Sequence, residues 1–200
     1  AGGGEEMGGM RGVKHFMQRT AIQGAPALLS AVTGQWSEGA DVRSDQHPFR
    51  KSLAELRIGD QITSTSKTIT EGDVEHFAHF TGDTFYAHMD SEAAKQNPFF
   101  KDRVAHGYLI LSFAAGLFVE PDPGPVLANY GVDNLCFLAP VYFGDSLQVR
   151  LTCKEINPRE NADHGEVRWD SVVTNQKGEV VAQYDVLTMV AKSWPMPGEG

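Results

Sequence analysis

From Ser146 to Ile156 apolar and polar positions alternate, with Leu147, Val149, Leu151 and Cys153 on one side and polar neighbours between them. A period of two places those four side chains on one face of a β-strand. Two more apolar-rich runs, Glu166–Val173 and Val180–Ala191, flank Thr174-Asn-Gln-Lys-Gly-Glu179, which signals a hairpin. Earlier in the chain, Ile62, Thr63 and the β-branched residues after them predict a strand entered through a Gly59-Asp60 turn. Thr70 is placed to cap a helix beginning at Glu71, and Asp73, three positions on, completes a capping box. Val74, Phe77 and Ala78 share one face of that helix. Thr81–Asp90 reads as a loop, Ser91–Asn97 as a second short helix stopped by Pro98, and Phe99–Ala105 as extended chain.

The run from His106 to Pro121 is apolar on nearly every side at helical spacing, as in a helix with no face left for water. Pro121, Pro123 and Pro125 end it. The predicted order is therefore strand, small helices, one buried helix, then antiparallel strands. An α+β fold with a curved antiparallel sheet wrapped around a long buried helix, the hot-dog arrangement, satisfies that order.

The ends of the chain differ from this pattern. Residues 1–44 are glycine-rich, hold few core candidates and read as a leader and linker, so residues 45–192 form the expected domain and 193–200 a flexible tail. Gly2, Gly3, Gly4, Gly8 and Gly9 follow no strand and precede no Gly-Lys-Ser/Thr, so they make no nucleotide-binding loop. No signal peptide is expected, because the first ten residues are not basic and then apolar.

The net charge of −9 in 200 residues disfavours a nucleic-acid backbone or an anionic membrane as partner. The longest apolar stretch, Tyr108–Val119, is far short of the ~18 residues that span a bilayer. Cys136 and Cys153 are spaced neither as a zinc nor as a redox pair, and both lie in strand-like runs. They are expected to be buried free thiols in a reducing, cytoplasmic protein.

Candidate chemistry concentrates in Gly82-Asp83-Thr84-Phe85-Tyr86-Ala87-His88. A carboxylate and an imidazole that grip one water could supply both the nucleophile and the proton for hydration of a conjugated thioester. Spacing alone favours the blander reading, in which Asp83 caps the next helix and His88 is a surface hydrogen-bonding group. Asp90, beside Ser91, is the better cap and leaves Asp83 free. Ala105-His106-Gly107-Tyr108 opens the buried helix, where backbone N–H groups suit the negative charge of an oxyanion. Gly107 could equally be a packing glycine. His76 and His79 form a weak metal pair with no evident third ligand, so no metal is expected. His47 reads as structural, and Asn129 and Asn134 as possible pocket residues.

Thr81–Asp90, Val104–Phe118 and Leu135–Ile156 together resemble the MaoC-like, (R)-specific enoyl-CoA hydratases over roughly residues 50–192. The resemblance implies that Asp83 and His88 are the catalytic pair and that Gly107 supplies an oxyanion N–H. Phe85, Tyr86 and His106 are then expected to contact substrate. Members of the family usually carry Asn-Pro where this chain has Phe85-Tyr86.

A narrower resemblance, carried by His47–Lys51, Gly82–Asp90 and Gly124–Val141, is to the hydratase domain of PaaZ-type bifunctional enzymes of phenylacetate degradation. Residues 1–24 resemble the end of an aldehyde dehydrogenase domain. That likeness implies ring opening of oxepin-CoA, no cofactor in this domain, NADP for an upstream dehydrogenase on the same chain, and a homo-oligomer built on hot-dog dimers. The alternatives are a plain (R)-specific enoyl-CoA hydratase, a hot-dog thioesterase, and a non-catalytic oligomerisation module.

Overall fold

The computed structural model describes residues 22–195. The expectations for residues 1–21, and for the tail beyond Pro195, lie outside the described residues.

Four long strands, β3 (Val126–Phe137), β4 (Ser146–Pro158), β5 (His164–Thr174) and β6 (Val180–Ala191), join the short β1 (Gln61–Thr63) in an antiparallel sheet of order β1-β4-β5-β6-β3, and β2 (Lys67–Thr68) also pairs with β4. Leu147, Val149, Leu151 and Cys153 are all buried on one face of β4, as their alternation requires. The β5–β6 hairpin turns at Asn175–Gly178, where Gly178 adopts φ 76° and Asn175 N–H donates to the Glu179 carbonyl.

The long helix, α5 (Gly107–Phe118), lies on the inner face of this sheet. Leu109, Ile110, Ala114 and Phe118 join Leu147, Leu151, Trp169 and Tyr184 in one core. This is the expected α+β hot-dog layout, with one correction. Burial of α5 is one-sided within the chain, since Tyr108, Ser112 and Gly116 are exposed. The uniformly apolar sequence overstated intrachain burial, because periodicity cannot say whether a second apolar face is covered by the same chain.

The small helices precede α5. They are α2 (Glu71–Thr81), α3 (Tyr86–Met89) and α4 (Ser91–Lys95). The α2 capping box is formed: Thr70 Oγ1 accepts from Asp73 N–H, and the Asp73 carboxylate accepts from Thr70 N–H. Such a cap stabilises a helix start by about 1 kcal/mol. Asp90 caps α4, accepting from Glu92 and Ala93 N–H groups. Where a plain loop was expected, Tyr86–Met89 closes one helical turn, with Asp90 N–H donating to the Tyr86 carbonyl at 2.8 Å.

The segment read as linker contains α1 (Pro26–Thr33) and then runs along the sheet. Trp36 is buried, and its N–H donates to the Lys154 carbonyl at 2.7 Å. Arg43 bridges Asp60 beside β1. Gly59, at φ 88°, passes so close to this segment that a Cβ would sit 2.7 Å from the Asp41 carbonyl oxygen. A polar, glycine-containing stretch hid one large anchor, Trp36.

The two thiols differ. Cys153 is buried, with its ionisation strongly opposed by burial, whereas Cys136 is exposed, contrary to expectation. Cys136 lies on β3, an edge strand, so strand periodicity did not translate into burial. Among the described residues no helix is long and apolar enough to cross a membrane.

Candidate active site

Gly82 ends α2 in the left-handed conformation, φ 80°, and its N–H closes on the Ala78 carbonyl. The chain then turns sharply: Asp83 N–H donates to Thr81 Oγ1, and an Asp83 carboxylate oxygen accepts from Phe85 N–H at 3.3 Å. One residue beyond buried Ala87, the α3 turn presents His88.

His88 is held from two sides. Its Nδ1 lies 2.7 Å from the Val104 carbonyl oxygen. A carbonyl can only accept, so Nδ1 carries the proton and Nε2 is left with a free lone pair. Arg103 Nε donates to the His88 carbonyl at 2.7 Å, and its guanidinium also binds Glu71 on α2. Burial lowers the His88 pKa below the ordinary 6.5. The Val104 bond and Asp83 push it back up, and the neighbouring His106 pushes it down. The net direction keeps His88 neutral near pH 7, with Nε2 able to take a proton.

His106 is the N-cap of α5 and is buried. Its Nε2 donates to the backbone carbonyl of Asp83 at 2.9 Å, and its ring stacks on His88 with centroids 3.8 Å apart. It is not among the walls of the adjoining cavity. It ties the Asp83 turn to the helix start and walls His88 from behind. Its Nδ1 is buried without a hydrogen-bond partner among the described residues.

Donor atoms of Asp83, His88 and His106 all lie within 4.8 Å of one another. That convergence is tight enough to grip one water, or one cation. The weaker pair considered from sequence is not part of it. His76 and His79 are exposed, His79 Nδ1 is bonded to the Glu75 carbonyl, and His76 stacks on Phe80.

A cavity of ≈ 420 Å³ opens beside this cluster, with His88, Gly107, Phe99, Phe100 and Phe137 among its walls. Gly107 is the first residue of α5, and its N–H has no partner inside the helix. The His106 side chain does not cap that end. A Cβ at Gly107 would lie 2.6–2.7 Å from the Phe137 ring, so only glycine lets that ring lie against the helix start. His88 and the first residue of α5 therefore border one cavity.

Phe85 and Tyr86, also expected at the substrate, do not line the cavity. They are exposed with rings 4.5 Å apart, and Tyr86 Oη accepts from Asn97. Asn129 lines a separate cavity at the far end of α5, and Asn134, at φ 53°, donates instead to Asp185. His47 Nδ1 accepts from Phe49 N–H and caps a single turn, the structural role expected of it. Val104, Arg103 and Phe137 carry much of the geometry, yet nothing in their local sequence marks them. Each acts through a contact fixed only by folding.

Residues 54–175 match the family model described as a MaoC like domain. The chain belongs to the MaoC-like family. Its relatives include Protein MaoC of Klebsiella aerogenes, 51% identical over 172 residues that cover 84% of this chain and 51% of that protein. The chain thus spans about half the length of that relative. An (R)-specific enoyl-CoA hydratase of Rhodospirillum rubrum is 37% identical over 100 residues, covering 50% of this chain and 68% of that one.

Among solved structures, the monoamine oxidase regulatory protein of Archaeoglobus superposes with TM-score 0.67 at 29% identity, covering 76% of this chain and 99% of that one. A Mycobacterium tuberculosis protein with a double hotdog fold superposes at TM-score 0.62 and 18% identity over 73% of this chain and 46% of that one, which supports the fold alone. The MaoC-like family is one of CoA-thioester hydratases and dehydratases; in this MaoC-like domain Asp83 clusters with His88 and His106, and His88 and Gly107 line one cavity whose walls do not include Asp83.

Proposed function

We propose that this MaoC-like domain adds water to a CoA thioester at the cavity beside His88, with Asp83 and His88 sharing the attacking water. The observation that carries this reading is an oriented imidazole that lies within 4.8 Å of a carboxylate and lines the same cavity as the N-terminal residue of α5. His88 Nε2, left free because burial favours the neutral ring and the Val104 bond fixes its one proton on Nδ1, accepts a proton as the water oxygen attacks the electrophilic carbon. The carboxylate of Asp83 holds the water's other proton and orients its lone pair. Negative charge growing on the thioester oxygen is met by the Gly107 N–H at the positive end of α5. The carbon alpha to the thioester then takes a proton returned from the Asp83–His88 pair. In a coupled pair the two protonation steps belong to both groups together.

For the acyl part, the reading we favour is oxepin-CoA, a cyclic enol ether. Water adds across the enol ether to give a hemiacetal, which opens to an aldehyde. Phe85-Tyr86 in place of the family's usual Asn-Pro supports a departure from straight-chain substrates. So do the dehydrogenase-like residues 1–24 and the greater length of the Klebsiella relative. The full-length protein would then join this domain to an NADP-dependent aldehyde dehydrogenase. The alternative is straight-chain enoyl-CoA hydration, motivated by the relative named (R)-specific enoyl-CoA hydratase.

Incubation with each thioester, followed by mass spectrometry, separates the two. Gain of one water by the cyclic substrate, abolished in Asp83→Ala, is expected. Turnover of crotonyl-CoA alone would instead establish the straight-chain activity. Release of free thiol would point to a thioesterase. Equal rates for wild type and His88→Ala would leave only an oligomerisation role.

We also propose that two copies assemble through β3. It is an edge strand of twelve residues with Leu127, Tyr130, Val132 and Phe137 exposed, and α5 leaves Tyr108, Ser112 and Gly116 exposed. A long exposed edge strand with apolar side chains is a template for pairing with another strand.

A further inference from the structure

Arg103 and Val104 together grip the α3 turn at three points. Val104 N–H donates to the Ala87 carbonyl at 3.0 Å, and Arg103 Nε donates to the His88 carbonyl at 2.7 Å. The Val104 carbonyl takes the His88 Nδ1 proton, also at 2.7 Å. We infer that Arg103 is a positioning residue, which sets the His88 ring and its separation from Asp83 by tying α2 to the α3 turn. Its effect on rate rests on the hydratase reading, whereas its effect on the His88 ring rests on the fold alone.

The guanidinium is engaged on three sides. Besides the His88 carbonyl it binds Glu71 and lies 3.9 Å from Glu75, two carboxylates one turn apart on α2. Its central carbon sits 4.9 Å from the centre of the Phe143 ring. Only 13% of the side chain is exposed, so water competes weakly for these contacts. A lysine ammonium could not meet a carbonyl, a carboxylate pair and an aromatic face at once, as the planar fork does.

Each element that Arg103 joins carries one member of the pair. α2 ends at Gly82 and delivers Asp83, and the α3 turn bears His88. A single turn of four residues is too short to hold its own shape, so outside contacts fix it. Arg103 supplies one to the residue that carries the imidazole. The segment that supplies these contacts is anchored in turn. Ala105 N–H donates to the Val141 carbonyl at 2.8 Å, and Val104 bridges Tyr142.

Two variants test the assignment. Arg103→Met keeps the side-chain length and removes every donor. Arg103→Lys keeps the charge beside Glu71 and loses the fork; it carries both readouts should the methionine variant not fold. Rates are measured on crotonyl-CoA and oxepin-CoA. Nitrogen NMR of isotope-labelled histidine rings reads the His88 tautomer, with His88→Asn to assign the signal. In both variants kcat should fall about tenfold, while KM moves less than about twofold. Wild-type His88 should hold its proton on Nδ1 alone. In the variants an Nε2–H form should appear, because the ring is no longer aligned on the Val104 carbonyl.

Unchanged kcat in either variant would overturn the inference. So would a lower kcat with the His88 proton still on Nδ1 alone, which would mark a general structural effect. If wild type hydrates neither thioester while the His88 proton still shifts in the variants, the hydratase reading fails and the clamp stands. Hydration by wild type with an unmoved His88 signal removes the clamp and leaves that reading intact.

Discussion

The His88 and His106 rings lie 3.8 Å apart, centroid to centroid, inclined by 30°. One ring is hydrogen-bonded to the Val104 carbonyl and the other to the Asp83 carbonyl, so the pair joins the α3 turn, the Asp83 turn and the start of α5. Their closeness has an electrostatic consequence, because charge on His106 opposes charge on His88.

His106→Phe keeps the stacked ring but removes both the bond to Asp83 and the titratable neighbour. We expect kcat to fall about tenfold or more while KM changes little, because the carboxylate is no longer held over the water. In wild type the acid limb of kcat/KM should lie below 6.5, the ordinary histidine value, since His88 must lose its proton to act and burial lowers its pKa. In the variant that limb should move up, as one influence lowering the His88 pKa is gone. A pH–rate profile with no shift would assign His106 a purely packing role.

Gly107→Ala places a methyl group 2.6–2.7 Å from the Phe137 ring. Phe137 is half exposed and can swing aside, so stability should change by less than about 1 kcal/mol, helped by alanine's better helix propensity. Activity should drop at least about tenfold as the displaced ring crowds the cavity. The double variant Gly107→Ala/Phe137→Leu should recover part of it. Thermal melts and steady-state rates read the two effects separately.

Asp185 is buried between strands and accepts from Lys154 Nζ, Arg168 Nη1 and Asn134 Nδ2, all within 2.9 Å. Burial alone would raise its pKa, but Lys154, Arg168 and Asn134 together hold it below the usual carboxylate value of 3.8. Its contribution to stability is therefore complete above that value and is lost as pH falls through the depressed pKa. Asp185→Ala should cost about 1–3 kcal/mol at neutral pH, a range that allows for the partly solvated cations. Denaturant titrations at pH 7 and pH 3 should show the gap between wild type and variant narrowing at the lower pH.

Charge placed on the free edge of β3 tests assembly. Val132 is 41% exposed near the middle of that strand. Val132→Arg should convert a dimeric wild type to monomer in sedimentation experiments while the fold is retained. A wild type that sediments as a monomer would contradict pairing through β3.

Several elements were legible before folding because each needs only local chemistry. The alternation in β4, the capping box at Thr70 and Asp73, and the Asp90 cap follow from side-chain spacing alone. Asp83, His88 and Gly107 stood out as residue types suited to hydration; in the fold Asp83 lies beside His88, and His88 and Gly107 line one cavity. Trp36 did not stand out, because a single aromatic in a polar stretch has no period to reveal its burial. Nor did Arg103, whose partners are a backbone carbonyl and a carboxylate on another helix.

By itself the sequence determined which strands and helices form, where they are capped, and which residues bring a carboxylate, an imidazole and a glycine to the same neighbourhood. Tertiary structure decided what each group does. It set the His88 tautomer through Val104, bound His106 to the Asp83 backbone, and left Phe85 and Tyr86 outside the cavity. The physical reason is that caps and strand periods depend on neighbours a few residues away. A proton's position and a side chain's burial depend on partners 16 to 23 residues away or further, which only the folded chain brings within hydrogen-bonding distance.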